Sequence, residues 1–366
     1  MSEGGHDLVE NVIVETKSYN RNAIVIIGLV VALVIVFFLS LTVGAVPIGA
    51  LDAFWIILEK LGLGTDFGDY AHQQEVVLMY IRLPRIVLGV IVGGALAITG
   101  AAMQGLFRNP LVEPGLVGVS SGAALFAVVT IVFSSVFGDE IASFLGAYML
   151  PVASFIGGLL VTILAYRLSQ RSGKTDIAVL ILCGVAINAL AGSLIGLAIF
   201  YADDEALRSF TFWSMGDLSG ADWKSIGFVF LLVIVPCVVI LRHSSELNAI
   251  ALGEMEAYHL GINVEKIKRI LVVCSAMAVG SCVALTGMIG FIGLVVPHII
   301  RLALGADHRL VLPASILGGA VLLPVADMLA RTIVYPAELP LGIVTSLVGA
   351  PFFMYLLVKT KKRNGI

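Results

Sequence analysis

The chain has 366 residues, of which 59% are hydrophobic and only 13% charged, with a net charge of −3. Soluble proteins carry about 25% charged residues, so this chain cannot clothe a globular surface, and a soluble enzyme and a disordered chain are both excluded. The absence of a basic excess excludes a nucleic-acid binder. What remains is an all-α, polytopic membrane protein, because a chain in lipid must satisfy its backbone internally.

A bilayer core of about 30 Å needs roughly 20 helical residues, and charge-free apolar runs mark the spans. Residues 1–22 read as a mixed-charge cytoplasmic tail, followed by a first span over Ala23–Val43. That run is too long for a signal-peptide core, so it is expected to stay as an anchor. Further runs cover Ile86–Leu106, Leu116–Phe137, Tyr148–Tyr166, Ile177–Phe200 and Ile226–Leu241. The last four are Ile270–Ile289, the short Phe291–Leu304, Leu310–Leu329 and Leu341–Val358, leaving 359–366 as a cytoplasmic tail. Ten spans result, all within a single transmembrane body from 23 to 358. Three connections are long: Gly44 to Tyr80, whose apolar stretch Ile48–Leu61 suits a surface helix; Tyr201 to Trp223; and the polar, helical-looking His243 to Arg269.

Lysine and arginine set the orientation. With both termini inside, the outside segments hold only Lys60, Arg82, Arg85, Arg208, Lys224 and Arg331, and every other lysine and arginine falls inside. Both termini are therefore expected in the cytoplasm.

Chemistry of the usual enzymatic kinds is missing from the pattern. Gly173-Lys174-Thr175 looks like the end of a phosphate-binding loop, but the glycine needed five residues earlier is Leu168. Asp327 lies four residues before Arg331, which reads better as a local pair than as a proton relay. Pro297-His298 reads as a helix-start feature rather than a haem ligand, because no second ligand accompanies it. Cys183, Cys237, Cys274 and Cys282 lack metal-ligand or CxxC spacing and read as small apolar residues. Gly89, Gly93, Gly94, Gly100 and Gly105, and the pair Gly192 and Gly196, suit close helix contact or a wide lumen.

Several long motifs then stand in order: Arg82-Leu83-Pro84-Arg85, Gly93-Gly94-Ala95-Leu96-Ala97, Gly100-Ala101-Ala102-Met103-Gln104 and Arg108-Asn109-Pro110-Leu111. Glu113-Pro114-Gly115-Leu116-Val117-Gly118, Trp213-Ser214-Met215-Gly216, Ala251-Leu252-Gly253-Glu254, Gly290 to His298 and Glu338-Leu339-Pro340-Leu341-Gly342 follow. Together they resemble the FecCD family of ABC importer permeases, which carry iron siderophores, haem and cobalamin. The resemblance covers about residues 25–358 and is greatest to haem-type members. It implies ten helices per subunit in the type II importer fold and a homodimer around a central path, in the inner membrane of a bacterium. It also implies two cytoplasmic ATPase subunits and a periplasmic binding protein as partners, with ATP and Mg on the ATPases and no cofactor, metal or catalytic residue on this subunit.

Three sites follow from the resemblance. Asn248, Ala251, Leu252, Gly253 and Glu254 match the segment that couples to the ATPase. There, Gly253 would allow a sharp turn and Glu254 would cap the following helix. Trp213, Ser214, Met215 and Gly216 match the gating region of the path. Arg82, Arg85 and Arg331 match outer arginines that grip acidic residues of the binding protein, a task suited to a planar guanidinium. Membrane lipid is the remaining expected contact, and nucleic acid is not.

Overall fold

The computed structural model describes residues 3–63, 70–133, 146–171 and 174–363, with side chains left undescribed for residues 3–20, 147 and 356–363. The chain is helical almost throughout. In order come α1 (Glu3–Thr42), α2 (Ala50–Lys60), α3 (His72–Val77), a π-turn over Leu78–Arg82, and α4 (Leu83–Leu106). Next are α5 (Val119–Val132), α6 (Met149–Leu168), α7 (Ile177–Phe200), α8 (Asp204–Met215) and α9 (Trp223–Arg242). The last are α10 (Ser244–Leu252), α11 (Glu254–His259), α12 (Val264–Thr286), α13 (Ile292–Leu304), α14 (His308–Thr332) and α15 (Leu341–Arg363). The one sheet among the described residues is a two-residue hairpin between α6 and α7, pairing β1 (Gln170–Arg171) with β2 (Lys174–Thr175).

Among the described residues, seven helical stretches are long and apolar enough to cross a membrane: 21–42, 72–106, 149–168, 177–200, 223–242, 264–286 and 308–332. Three shorter apolar helices, Val119–Val132, Ile292–Leu304 and Leu341–Tyr355, fall on the remaining expected runs. The third expected run continues to Phe137, whose end lies outside the described residues. The expected surface helix is α2, which buries Ala53 and Ile56 against Leu41, Ile48, Leu78 and Ile86.

One expectation changes. The second span begins at His72 rather than Ile86. Arg82 and Arg85 ended the charge-free run, but both side chains are buried and bonded, so their charge does not mark the helix end. Helix α1 runs on from Glu3, and its membrane-crossing stretch, 21–42, coincides with the expected first span.

Helix α4 is the hub, with most of its residues buried between α9, α12, α13 and α14. Its glycines make this possible. A Cβ on Gly93 would sit 2.2 Å from the Gly319 carbonyl oxygen, and one on Gly100 1.9 Å from that of Gly293. These are backbone-to-backbone crossings, the small-residue packing that lipid favours. Gly192 and Gly196 differ: nothing lies within 4 Å of a Cβ at either position. That face of α7 is open in the single chain.

Candidate functional site

At one end of the bundle, the three arginines of the docking expectation converge below the surface. Arg82 is 4% exposed, Arg85 6% and Arg331 8%. Arg82 donates to the carbonyls of Leu41 (2.6 Å), Thr42 (3.3 Å) and Val46. Arg331 donates to the carbonyl of Val43 and to Ser40 Oγ, each at 3.0 Å. Two cations thus close the carbonyl end of α1, where the helix dipole is negative. Arg85 binds Asp327 Oδ1 through Nε (3.0 Å) and Nη2 (2.8 Å), and Glu338 Oε2 through Nη1 (2.8 Å). Arg331 Nε lies 3.0 Å from Asp327 Oδ2, an ion pair without hydrogen-bond alignment. The expected Asp327–Arg331 pair is therefore part of a larger group. Its well-exposed members are Glu338, at 46% of its side chain, and Asp217, at 50%, whose Oδ1 lies 4.0 Å from Arg85 Nη2. The sequence pictured an exposed patch; the structure commits all three arginines internally.

The Trp213–Gly216 turn ends α8 beside this group. Gly216 (φ 77°) accepts from Leu341 N at 2.9 Å, and Asp217 N donates to Thr286 O at 2.8 Å. A Cβ on Gly287 would meet the Trp213 carbonyl oxygen at 1.9 Å, and one on Gly342 the Met215 carbonyl oxygen at 2.3 Å. The turn is thus clamped, backbone on backbone, to the α12–α13 break and to the start of α15. Trp213 stacks on Phe210 at 6.1 Å, and its buried indole N–H has no hydrogen-bond partner among the described residues. Ser214 Oγ donates to Thr211 O at 2.9 Å.

That α12–α13 break also forms one wall of an interior cavity of about 440 Å³, through Met288, Ile289 and Phe291. Its polar side chains are Glu113, Ser120, Ser121 and Asn188. Ser121 Oγ donates to Asn188 Oδ1 at 2.5 Å, joining α5 to α7. Burial pushes the Glu113 carboxyl above its usual range. Sequence reasoning quoted Glu113 only for its motif and passed over Asn188. A carboxylate in a run flanked by Pro114 and Gly115 was the available signal. His298, by contrast, sits edge-on to Phe352 at 6.5 Å.

At the opposite end, residues 243–269 divide into α10, Gly253, α11 and the first turns of α12. The helix–glycine–helix knob is present. Gly253 has φ 150° and ψ 151°, a conformation that favours glycine. Ala251 and Leu252 are exposed at its tip. Glu254 does not cap α11 as expected; its carboxylate instead accepts from Lys268 Nζ at 2.9 Å. Lys268, only 2% exposed, also reaches Glu265 Oε1 (3.1 Å) and the Thr175 carbonyl (3.2 Å). Glu265 Oε2 accepts from Thr175 N (2.9 Å) and Oγ1 (2.8 Å). The next residue, Asp176, caps α7 through Ala178 N and Val179 N. Asn248 makes a second tie: Nδ2 donates to Asp307 Oδ1 (2.6 Å), and Oδ1 accepts from His308 N (2.8 Å). The knob is thus wired to the first turns of α7 and of α14. Lys268 was missed because one lysine in a polar segment reads as solvated.

Residues 32–359 match the FecCD transport family. The chain belongs to that family. This FecCD protein is 46% identical over 288 residues to the hemin transport system permease protein HmuU of Yersinia pestis, covering 79% of this chain and 85% of that one. It is 41% identical to the cobalamin import system permease protein BtuC of Halobacterium salinarum, over 77% of this chain and 73% of the relative. The iron(3+)-hydroxamate import system permease protein FhuG of Bacillus subtilis is 35% identical, over 94% and 99%. Among solved structures, a metal-chelate type ABC transporter in an inward-facing conformation superposes with a TM-score of 0.78 at 32% identity, over 91% of this chain and 98% of that one. The type II importer fold expected from the motifs is the one observed.

Proposed function

We propose that this chain is the membrane subunit of an ABC importer that moves an iron complex inward, with haem as the first candidate. The observation that carries the reading is the knob of α10 and α11, whose exposed tip is tied to α7 through Lys268 and to α14 through Asn248. A force applied at the tip reaches two membrane helices through few, short, polar contacts. Energy comes from separate ATPase subunits that seat on Ala251, Leu252 and Gly253. A second copy of the chain would cover the open glycine face of α7, and substrate would pass near the cavity that Glu113 and Asn188 line. Both termini, Lys268 and the knob lie in the cytoplasm under this topology, and the Arg85 group faces the periplasm.

The binding protein would dock over the Arg85 group. Arg85 is the member able to change partner, because Glu338 is exposed and replaceable by an incoming carboxylate. Arg82 and Arg331 hold α1 and support the site from below. Haem ranks first because the haemin relative shares 46% identity, with a ferric siderophore next and cobalamin third.

Co-purification with an ATPase subunit and ATP-driven uptake in liposomes test the reading. A Gly253→Val variant should stay in the membrane, bind the ATPase and lose uptake per ATP hydrolysed. Uptake that proceeds without any ATPase would leave a secondary transporter or channel. Growth on haem or on siderophores as sole iron source, after deletion, ranks the substrates.

A further inference from the structure

A cavity of about 390 Å³ opens between α6 and α12, at the end of the bundle that carries the knob. Its upper rim carries Arg167 in the last turn of α6, Gln170 just beyond it, and Arg269 in the second turn of α12. Its floor, one to two turns deeper along the same two spans, is formed by Ile163, Val272, Val273 and Ala276, and Thr162 and Tyr166 complete the lining with hydroxyls bonded to the Gly158 carbonyl and to Thr175 Oγ1. Both arginines are exposed, and neither has a hydrogen bond or ion pair among the described residues. The nearby carboxylate in sequence, Glu265, is already taken up by Lys268 and Thr175. The β1–β2 hairpin, which begins at Gln170, carries Arg171 and Lys174 beyond the rim.

We propose that this cavity is a seat for one anionic phospholipid, its phosphate held between Arg167 and Arg269 and an acyl chain lying on the Val272, Val273 and Ala276 floor. Three features select this occupant. The cations sit at the ends of membrane spans, at headgroup depth, where basic pockets between helices attract anionic lipid. Guanidinium forks match phosphate oxygens and remain charged there. The floor beneath them is mostly apolar, its two hydroxyls already hydrogen-bonded within the protein, and only a chain fills it without leaving apolar surface wet. A filled seat would brace α6 against α12, the helix that carries Lys268 and so meets the knob. Naming the leaflet as cytoplasmic rests on the proposed topology; the seat itself does not.

Native mass spectrometry of the full-length chain, titrated with phosphatidylglycerol or phosphatidylcholine, tests this without ATPase, substrate or transport. Its failure therefore leaves the importer reading untouched, and a failed importer reading leaves the seat standing. The expected result is one retained phosphatidylglycerol per chain in preference to phosphatidylcholine. Arg167→Gln with Arg269→Gln should weaken that binding about thirtyfold, from two lost surface cations. Val273→Phe, or Ile163→Phe if the first fails to fold, fills the floor with both arginines intact and should weaken it as well. Millimolar inorganic phosphate should not displace the lipid. Equal retention by the arginine variant overturns the proposal. So does undiminished binding in the filled-floor variant, which would mean bare charge attraction, or displacement by phosphate, which would mean an ion site.

Discussion

At the Arg85 end, three arginines, Asp327, Glu338 and Asp217 lie in one group, and only the last two have substantial exposure. At the Lys268 end, a single buried lysine meets two carboxylates whose side chains are 38% and 28% exposed. Both groups join elements far apart in sequence. They differ in what happens when a partner leaves. Asp327 is 3% exposed and water cannot replace it, so the group around it behaves as a fixed joint. Glu254 and Glu265 can each rehydrate when released, while Lys268, as buried as Asp327, keeps the other carboxylate, so the lysine clamp can exchange one contact at a time. A transporter needs both kinds: one end that keeps its helices registered, and one where an external stroke changes contacts.

The largest predicted effect comes from breaking the fixed joint. Asp327→Asn leaves Arg85 and Arg331 buried beside a neutral amide, a change that costs about 3–5 kcal/mol when one partner of a buried pair is removed. Folded protein in the membrane should fall sharply, and the thermal midpoint of the purified remainder should drop. Charge reversal at Arg82 and Arg331 together should do the same, since it strips the carbonyl end of α1. A normally folded Asp327→Asn protein would show that the arginines are not held by this carboxylate.

The clamp should respond otherwise. Lys268→Met keeps the length and apolar stem while removing the charge. Its two carboxylates become free to hydrate, so stability should change by only about 1 kcal/mol, as for screened pairs. Uptake per ATP hydrolysed should fall about fivefold or more, within the usual range of coupling energies, while basal hydrolysis persists. Parallel loss of stability and uptake would place Lys268 with the fixed joints instead.

This contrast explains which features the sequence revealed. The apolar runs were legible because each helix must hide its backbone, and the shorter α5 and α13 still fell on expected runs. The knob was legible from Gly253. The start of the second span was not, because Arg82 and Arg85 read as charges at a boundary until partners 40 and 242 positions away become known. Lys268 was invisible for the same reason: its partner Thr175 lies 93 residues off. Helical period predicts neighbours within a turn, as it did for Asp327 and Arg331, and says nothing about pairs between helices.

A smaller effect separates Glu338 from the rest of its group. Glu338→Gln weakens a half-exposed contact, so stability should hold within about 1 kcal/mol. It also weakens the nearer of two exposed internal competitors for Arg85, leaving Asp217 at 4.0 Å. Binding-protein affinity should then rise, by up to about fivefold for each 1 kcal/mol of competition removed. Unchanged or weaker docking in a binding assay at physiological salt would count against Arg85 as the exchanging partner.

The smallest predicted effect concerns the second tie of the knob. Burial alone would raise the Asp307 carboxyl. The Asn248 amide, the Arg309 backbone N–H and the charges of Arg309 and His308 outweigh that and hold it below the usual carboxylate range. A carboxyl with a depressed folded-state value favours the fold fully above its unfolded value, near pH 4, and loses that contribution as pH falls through the folded value. Asn248→Ala removes the main donor and brings the folded value back toward normal. The stability gap between wild type and variant should therefore be widest near neutrality and shrink below about pH 4. It should not vanish, because Asn248 Oδ1 also accepts from the His308 backbone N–H, a bond that carries no titrating proton, and meets the His308 ring Nδ1 at 2.8 Å. Thermal midpoints of both proteins across pH 3–7 read this directly. A gap that stays constant with pH would locate the whole value of Asn248 in its His308 contact, and the amide–carboxylate bond would then contribute nothing to fixing the knob on α14.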